Sequence, residues 1–468
     1  MLNELNFTVT DLKKDLQGKI KRMKRKGIIS LFFASALVFT AGCQKIDSPE
    51  QGEQGYRVTE NIRQLGTPVT NPINSEQCND SESAKTTLSS LRRVSDRFYY
   101  MDFTTDLHFE ELIAGEMPDN LSNHNAMEEL WFKEDGREAP FDEERPQQSC
   151  SGFICFNEKG EVLFGRNFDS AGGPLCMLFN SANGYKYIQF TAPNYNSVTY
   201  NGVSKENPEE NGDGILSDGK TSLHRLLHQP MATMDGINEW GLCFGAFQLP
   251  VFADKEKGTP GPTRVLQDED GKGYVANSLM QNFILSKCKT VDEVEKMMEQ
   301  YNYVSLHPSI NVHWMVADAT GDYAIFEYWE NKLYVLRPED RMNIVPFTSQ
   351  VIPYEYNRVE NYYANLEATK KYLTDAWQHG YSAKQRVRHL MDAYADKVHL
   401  VQFGTAYKPV MSEMEALECL QAGSFAIEMP NDATNWSCIY NPAQKTILFN
   451  MRNDMSQIYK IDFERDFK

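Results

Sequence analysis

The chain has 468 residues, of which 41% are hydrophobic, 12% aromatic and 24% charged, a globular composition that excludes a disordered, collagenous or coiled-coil protein. Lys plus Arg number 47 against 65 Asp plus Glu, for a net charge of −18. With no basic cluster beyond the first 26 residues, phosphate backbones repel the chain, and nucleic acid is not an expected partner.

The first segment differs from the rest. Residues 1–42 hold eight Lys/Arg and three Asp/Glu, hence +5, which leaves −23 for the remainder. Lys19, Lys21, Arg22, Lys24, Arg25 and Lys26 precede an apolar stretch, Gly27–Thr40, that is short for a bilayer span. A basic region, a short apolar core and small residues make a signal peptide. Met23 is an alternative start. Thr40-Ala41-Gly42-Cys43 resembles a bacterial lipoprotein signal. That resemblance implies a lipid on Cys43 and a mature protein anchored to a bacterial membrane, in the periplasm or at the cell surface, with simple secretion or an uncleaved anchor as the competing readings. Residues 43–83 are rich in Gln, Asn, Ser, Pro, Gly and Glu and lack periodicity, which suits a flexible tether.

Order is expected from about Lys85. Leu88, Leu91, Val94 and Phe98 recur at helical spacing over Thr86–Phe98, and Phe109–Ala114 adds a short helix, so residues 84–149 read as a partly helical segment. Charged, proline-containing residues 133–148 read as an exposed loop. From residue 150 the pattern changes to hairpins: GFICFNEKGEVLFGRN, GYKYIQFTAP, GINEWGLCFGAFQLP, HWMVADATGDYAIFEYWENKLYVL and NWSCIYNPAQKTILFNM alternate around Gly, Asn or Asp turns. Helices are expected at Tyr274–Ser286, Val291–Tyr301, Tyr356–Gln378, Ala383–Ala395 and Ser412–Gln421. Strand runs separated by helix pairs predict an α+β fold of antiparallel sheets covered by helices.

No metal or cofactor is expected. The nine Cys show no CxxC pair, zinc spacing or disulfide framework, and most read as small buried apolar residues. His224 and His228 stand at i, i+4 without an HExxH glutamate, the pattern of a surface helix.

The segment with chemistry is Cys150-Ser151-Gly152, followed after a hairpin by Gly165-Arg166-Asn167-Phe168-Asp169. A hairpin folds its ends together, which brings Cys150, Arg166 and Asp169 to one sheet edge. There the arginine favours the thiolate and the aspartate orients an amine, although a buried cysteine beside a surface ion pair fits the same spacing. Cys150 with Arg166 and Asp169 in C-x-G…GRNFD resembles the start of the choloylglycine hydrolase family, N-terminal-nucleophile hydrolases that include bile salt hydrolases, penicillin V acylases and acid ceramidase-like enzymes. Asp235–Leu242 (DGINEWGL), His313–Asp318 with Gly321 and Glu327, and Asn435–Cys438 with Gln457-Ile458 resemble three further motifs of that family, in the same order.

The resemblance implies an αββα sandwich over residues 150–468 and hydrolysis of a linear C–N amide, conjugated bile salts or other N-acyl amino acids foremost. It implies an N-terminal Cys nucleophile, so Cys150, being internal, requires autoprocessing at Ser149-Cys150. The family's first oxyanion residue falls on Gln248 and the second on Ser349, where the family's Thr-Asn pair is absent. Its late arginine falls on Arg386, with Arg388 as the competing register. Acyl transfer by the same fold, or a binding protein without activity, are the alternative functions, and oligomeric state is open. Phe153, Met177, Leu178, Phe179 and Phe247 are candidate walls of an apolar acyl pocket.

Overall fold

Strands that are apolar on both faces need cover on both sides, and this requirement organises the molecule. The computed structural model describes residues 56–69, 82–95, 98–116, 150–170, 175–192, 223–248, 265–304, 312–329, 331–337, 389–390, 392–404, 406–424 and 433–467. One sheet runs, in spatial order, β1 (Arg57–Thr59), β20 (Gln457–Asp462), β19 (Thr446–Met451), β18 (Ala433–Asn441), β6 (Val162–Ser170), β5 (Ser151–Phe156), β17 (Ala406–Val410) and β16 (His399–Phe403). The second runs β15 (Lys332–Leu336), β14 (Tyr323–Trp329), β13 (Val312–Ala317), β10 (Cys243–Gln248), β9 (Thr233–Asn238), β8 (Tyr187–Thr191), β7 (Leu175–Asn180), β4 (Phe98–Phe103), β3 (Arg92–Ser95) and β2 (Thr67–Pro68).

Between the sheets lies a core built from the inward residues of both. Phe98 of β4 meets Phe449 and Tyr459 edge-on, with centroids 5.5 and 5.2 Å apart, and Phe190 of β8 stacks on Trp436 at 6.2 Å. The outer face of the second sheet is covered by α2 (Asn277–Lys287) and α3 (Val291–Met298), whose apolar residues share a cluster with Phe244 and Trp314. α4 (Glu413–Ala422) covers the outer face of the first sheet, with Leu417 and Leu420 against Phe153, Ile439 and Leu448. The layering is therefore αββα, as expected. α3 and α4 begin where Thr290 and Ser412 cap them, and Ser412 forms a full capping box with Glu415.

Several details differ from expectation. The sheets are mixed, because β1 pairs with β20, β4 with β7 and β17 with β5 in parallel. Residues 56–69, assigned by composition to the tether, supply β1, a 3₁₀ turn with buried Ile62, and β2; strands of two or three residues leave no periodic signal. The helix expected over Thr86–Phe98 is instead α1 (Glu82–Ser89), followed by β3 and β4. The aromatic, β-forming Phe98-Tyr99-Tyr100 alternates between the two core layers and overrides the helical spacing. Leu223–Ala232, expected as a surface helix, is a 3₁₀ segment with Leu226, Leu227 and Met231 buried. The first three residues of the helix expected at Tyr274 form β11 (Tyr274–Ala276), paired with β12 (Asn302–Val304). The expected helix Tyr356–Gln378 and the loop 133–148 lie outside the described residues, as does the signal segment with Cys43.

Candidate active site

The hairpin β5–β6 forms where the sequence dictates it. Asn157 Oδ1 accepts hydrogen bonds from the N–H groups of Lys159 and Glu161, both at 3.0 Å, and Gly160 adopts the left-handed conformation (φ 77°) that closes the turn. Gly152 then pairs with Arg166. Alternation sends Val162, Phe164 and Phe168 into the inter-sheet core, and Arg166 and Cys150 occupy the same layer. Asp169 pairs with Thr434 of β18 at the same end of the sheet.

Three groups thus converge. Arg166 Nη2 lies 3.8 Å from Cys150 Sγ, and the backbone N–H of Asp169 donates to the thiol. The Asp169 carboxylate accepts the Thr434 hydroxyl. Arg166 is itself held from the opposite sheet, where its Nη1 pairs with Asp235 of β9 and its Nη2 bonds the Ala246 carbonyl. Its guanidinium sits 5.2 Å from the ring centres of both Phe168 and Phe247. Asp235 also accepts from Trp436 Nε1 at 3.0 Å and Tyr440 OH at 2.6 Å. Gly245 makes room for this: a Cβ there would lie 2.6 Å from Arg166 Cδ.

The charges decide the state of the thiol. Burial disfavours the Arg166 cation, but Asp235 together with Cys150, Tyr440 and Cys438 outweighs that and holds its pKa above the usual arginine value. Burial pushes the Asp235 carboxyl upward, opposed by Arg166, Tyr440 and Trp436. Burial also raises the Cys150 thiol, to about 11. Arg166 and the Asp169 N–H pull it down, while the Asp169 and Asp235 carboxylates push it up. Arg166 acts in the expected direction yet loses to burial, to which the Asp169 and Asp235 carboxylates add. In this arrangement the thiol is neutral near pH 7.

Behind Cys150, Asn167 Nδ2 donates to Ser151 Oγ at 3.2 Å and to the Leu420 carbonyl at 2.8 Å, and Ser437 Oγ donates to Asn167 Oδ1 at 2.6 Å. This buried network ties the last turn of α4 to the strands carrying Cys150 and Asp169. On the other side Phe247 meets His313 edge-on at 5.6 Å, and His313 Nδ1 lies 3.1 Å from Glu327 Oε2, both buried.

Gln248 ends β10 next to Phe247, paired with Val312. Ser349 and Arg386, with its alternative Arg388, lie outside the described residues. Of the five proposed pocket walls only Phe247 touches the site, where its ring approaches Gly152 and Arg166. Phe153 and Leu178 point toward the helix layers, and Met177 and Phe179 fill the inter-sheet core, with Phe179 stacked on Phe467. No cluster of three or more His, Cys, Asp or Glu able to hold a metal exists among the described residues. Sequence reasoning missed Asp235, Trp436 and Tyr440, although all three sit in or beside motifs it had singled out.

The fold is thus an αββα sandwich with a cysteine at the head of an inner strand, an arginine beside its sulfur and an aspartate N–H on it. Residues 150–344 match the family model for linear amide C–N hydrolases, choloylglycine hydrolase family, which is the family read from the motifs. A bile salt hydrolase/transferase of Clostridium perfringens is 25% identical over 191 residues, 40% of this chain and 50% of that protein, so the chain spans about half the length of this curated relative. Among solved structures, a mutant conjugated bile acid hydrolase from Clostridium perfringens aligns with 15% identity over 68% of this chain and 93% of its own, at a TM-score of 0.38. Penicillin V acylase from Agrobacterium tumefaciens aligns with 14% identity over 68% and 87%, also at 0.38.

Proposed function

We propose that this protein hydrolyses linear, non-peptide C–N amides, with Cys150 as nucleophile once the Ser149-Cys150 bond is cut, and with conjugated bile salts or other N-acyl amino acids as the first substrates to try. The observation that carries the reading is the thiol itself: buried, bonded by the Asp169 N–H and 3.8 Å from Arg166 Nη2, yet neutral, with a pKa near 11. Such a thiol needs a base. Cutting before Cys150 supplies one, because a free α-amine has a pKa of about 7.7–8.0 and is partly unprotonated at neutral pH. The amine takes the thiol proton, sulfur attacks the carbonyl carbon, and the C–N bond breaks as that proton passes to the leaving nitrogen. Water then adds to the thioester, the S–C bond breaks and the thiol is regenerated. Backbone donors beside the site, Gln248 N–H foremost, are assigned to the oxyanion, a contribution of about 3–4 kcal/mol per donor. An amine in place of water would turn the same thioester into an acyl-transfer product, a second reading supported by the transferase named for the curated relative.

The upstream segment should remain with the body after cleavage. β4 lies inside the second sheet, with six residues in register from Phe98↔Leu175 to Phe103↔Asn180, and β1 closes the edge of the first. Stripping β4 would expose Phe98, Tyr99, Tyr100, Met101 and Phe103, at about 1.5–3 kcal/mol for each large apolar side chain. A lipid on Cys43 would then hold the catalytic chain at the membrane through the pairing and core packing of β4 and β1, and Cys43→Ser should release both pieces together. The deciding experiment combines terminal sequencing with turnover. Purified protein should begin at Cys-Ser-Gly-Phe-Ile and hydrolyse glycine or taurine conjugates or fatty N-acyl amino acids, and Cys150→Ala should do neither. Turnover by an uncut chain, or by Cys150→Ala, would reject the mechanism. A correctly cut protein inactive on every amide would turn the assignment to a binding protein.

A further inference from the structure

Beside the nucleophile, β18 is irregular. Thr434 pairs with Asp169 and Trp436 with Phe168, which leaves Asn435 as the extra residue of a β-bulge between them. Bulges re-aim side chains and concentrate next to active sites. The backbone of the bulge is held by Arg452 N–H, which donates to the Asn435 carbonyl at 3.0 Å. Its side chain is not accounted for in this way. Asn435 is 2% exposed, and its Oδ1 is buried without a hydrogen-bond donor among the described residues. The contrast with Asn167, paired across from Ser151 on β6, is direct, since that amide is bonded at both its oxygen and its nitrogen. Both chain neighbours of Asn435 are wired to the thiol: Thr434 through the Asp169 carboxylate, Trp436 through Asp235 and thence Arg166. A buried acceptor left open costs stability, and beside a reactive thiol a ligand that completes it is a reason for the fold to retain it.

We infer that Asn435 is a substrate-binding residue whose carboxamide oxygen accepts the N–H of the scissile secondary amide. The inference rests on the reading of Cys150 as the nucleophile. Its chemical consequence is orientation. With the N–H held at Asn435, the lone pair that develops on nitrogen as the carbonyl carbon becomes tetrahedral is turned away from Asn435, toward the proton the Cys150 α-amine has taken from the thiol. That proton goes to nitrogen, the C–N bond breaks, and the departing amine still has an N–H for Asn435. An ester of the same acyl group has no N–H and gains nothing from this residue.

The test compares the full-length processed enzyme with Asn435→Leu, a near-isosteric change that removes the open acceptor. Each is assayed on an N-acyl glycine and on the O-acyl glycolate of the same acyl group, and melted. The expected result is a loss of about tenfold or more in kcat/KM on the amide, with ester turnover unchanged. Tm should hold or rise, because the buried Oδ1 that is removed has no hydrogen-bond donor among the described residues. Should Asn435→Leu fail to fold, Asn435→Ala reads the same amide-to-ester ratio. An equal loss on both substrates, or no loss on the amide, overturns the assignment of Asn435. A wild-type enzyme that hydrolyses neither substrate overturns instead the reading of Cys150 on which it stands.

Discussion

Replacing Asp235 by Asn asks whether Arg166 serves the thiol alone or only as half of an ion pair. Both side chains of that pair are fully buried. Removing one partner of such a pair typically costs about 3–5 kcal/mol, because the other charge is left in a low-dielectric core without compensation. An asparagine keeps the shape and can still accept from Tyr440 or Trp436, but it sets its own amide N–H against Arg166 Nη1 or gives up one of those bonds. A loss of about 4 kcal/mol over a unit spanning Gly55–Lys468 lowers Tm by about 5 °C at roughly 2.1 cal/mol/K per residue. The thiol should respond in the opposite sense. Asp235 is among the groups that push Cys150 up to about 11, so its neutralisation brings the thiol pKa down and enlarges the thiolate fraction at any pH below it. The assay is alkylation of Cys150 by iodoacetamide at pH 8, followed site by site with mass spectrometry beside a thermal melt. Asp235→Asn should melt earlier and alkylate faster. An unchanged Tm together with an unchanged rate would refute the ion pair as a support of the core and a contributor to the state of the thiol.

Two further outcomes follow from the same core. Gly245→Ala should disable turnover by orders of magnitude while leaving a folded protein, because its Cβ would lie 2.6 Å from Arg166 Cδ and 2.7 Å from Nε, forcing the guanidinium off the thiol; wild-type kcat/KM in this variant would contradict the placement of Arg166. Stability should fall at alkaline pH. Burial pushes Cys150 to about 11 and Cys288 and Cys419 to about 12, whereas unfolded thiols ionise near about 8.5. Between those values the unfolded chain has released protons that the native state keeps, so stability is full below about pH 8.5 and declines from there to pH 12. Melts from pH 7 to 11 under reductant measure it, and a flat profile would show that these thiols are not buried.

What could be read from the sequence was local. The hairpin from Ser151 to Ser170 was legible because Asn157 and Gly160 mark its turn and the antiparallel register then fixes Cys150, Arg166 and Asp169 at one end. β1 and β2 were not, since strands of three and two residues pair by main chain alone and carry no alternation to read. β4 was masked by leucines at helical spacing just before it, and only its contacts with both core layers reveal the strand.

Asp235 is the instructive omission, because a step of reasoning available from alternation alone would have reached it. The inward residues of β6 run Val162, Phe164, Arg166, Phe168, so a cation occupies a core position and an anion must face it from the other sheet. Strand alternation admits few acidic residues on inward positions there: Asp102, in step with Tyr100 on β4 but already held by Arg63 and Tyr100, Asp235, in step with Ile237 on β9, and Glu327, in step with Ile325 on β14. Glu327 lies directly across from His313 on the neighbouring strand and is engaged by it. That leaves Asp235, two residues before Ile237 and opposite Gly245, the one inward position on β10 with no side chain to block an arginine reaching across. Gly245 is thus the passage through which the two sheets exchange their only fully buried Arg–Asp pair among the described residues, with Cys150 Sγ 3.8 Å from the Nη2 of that arginine.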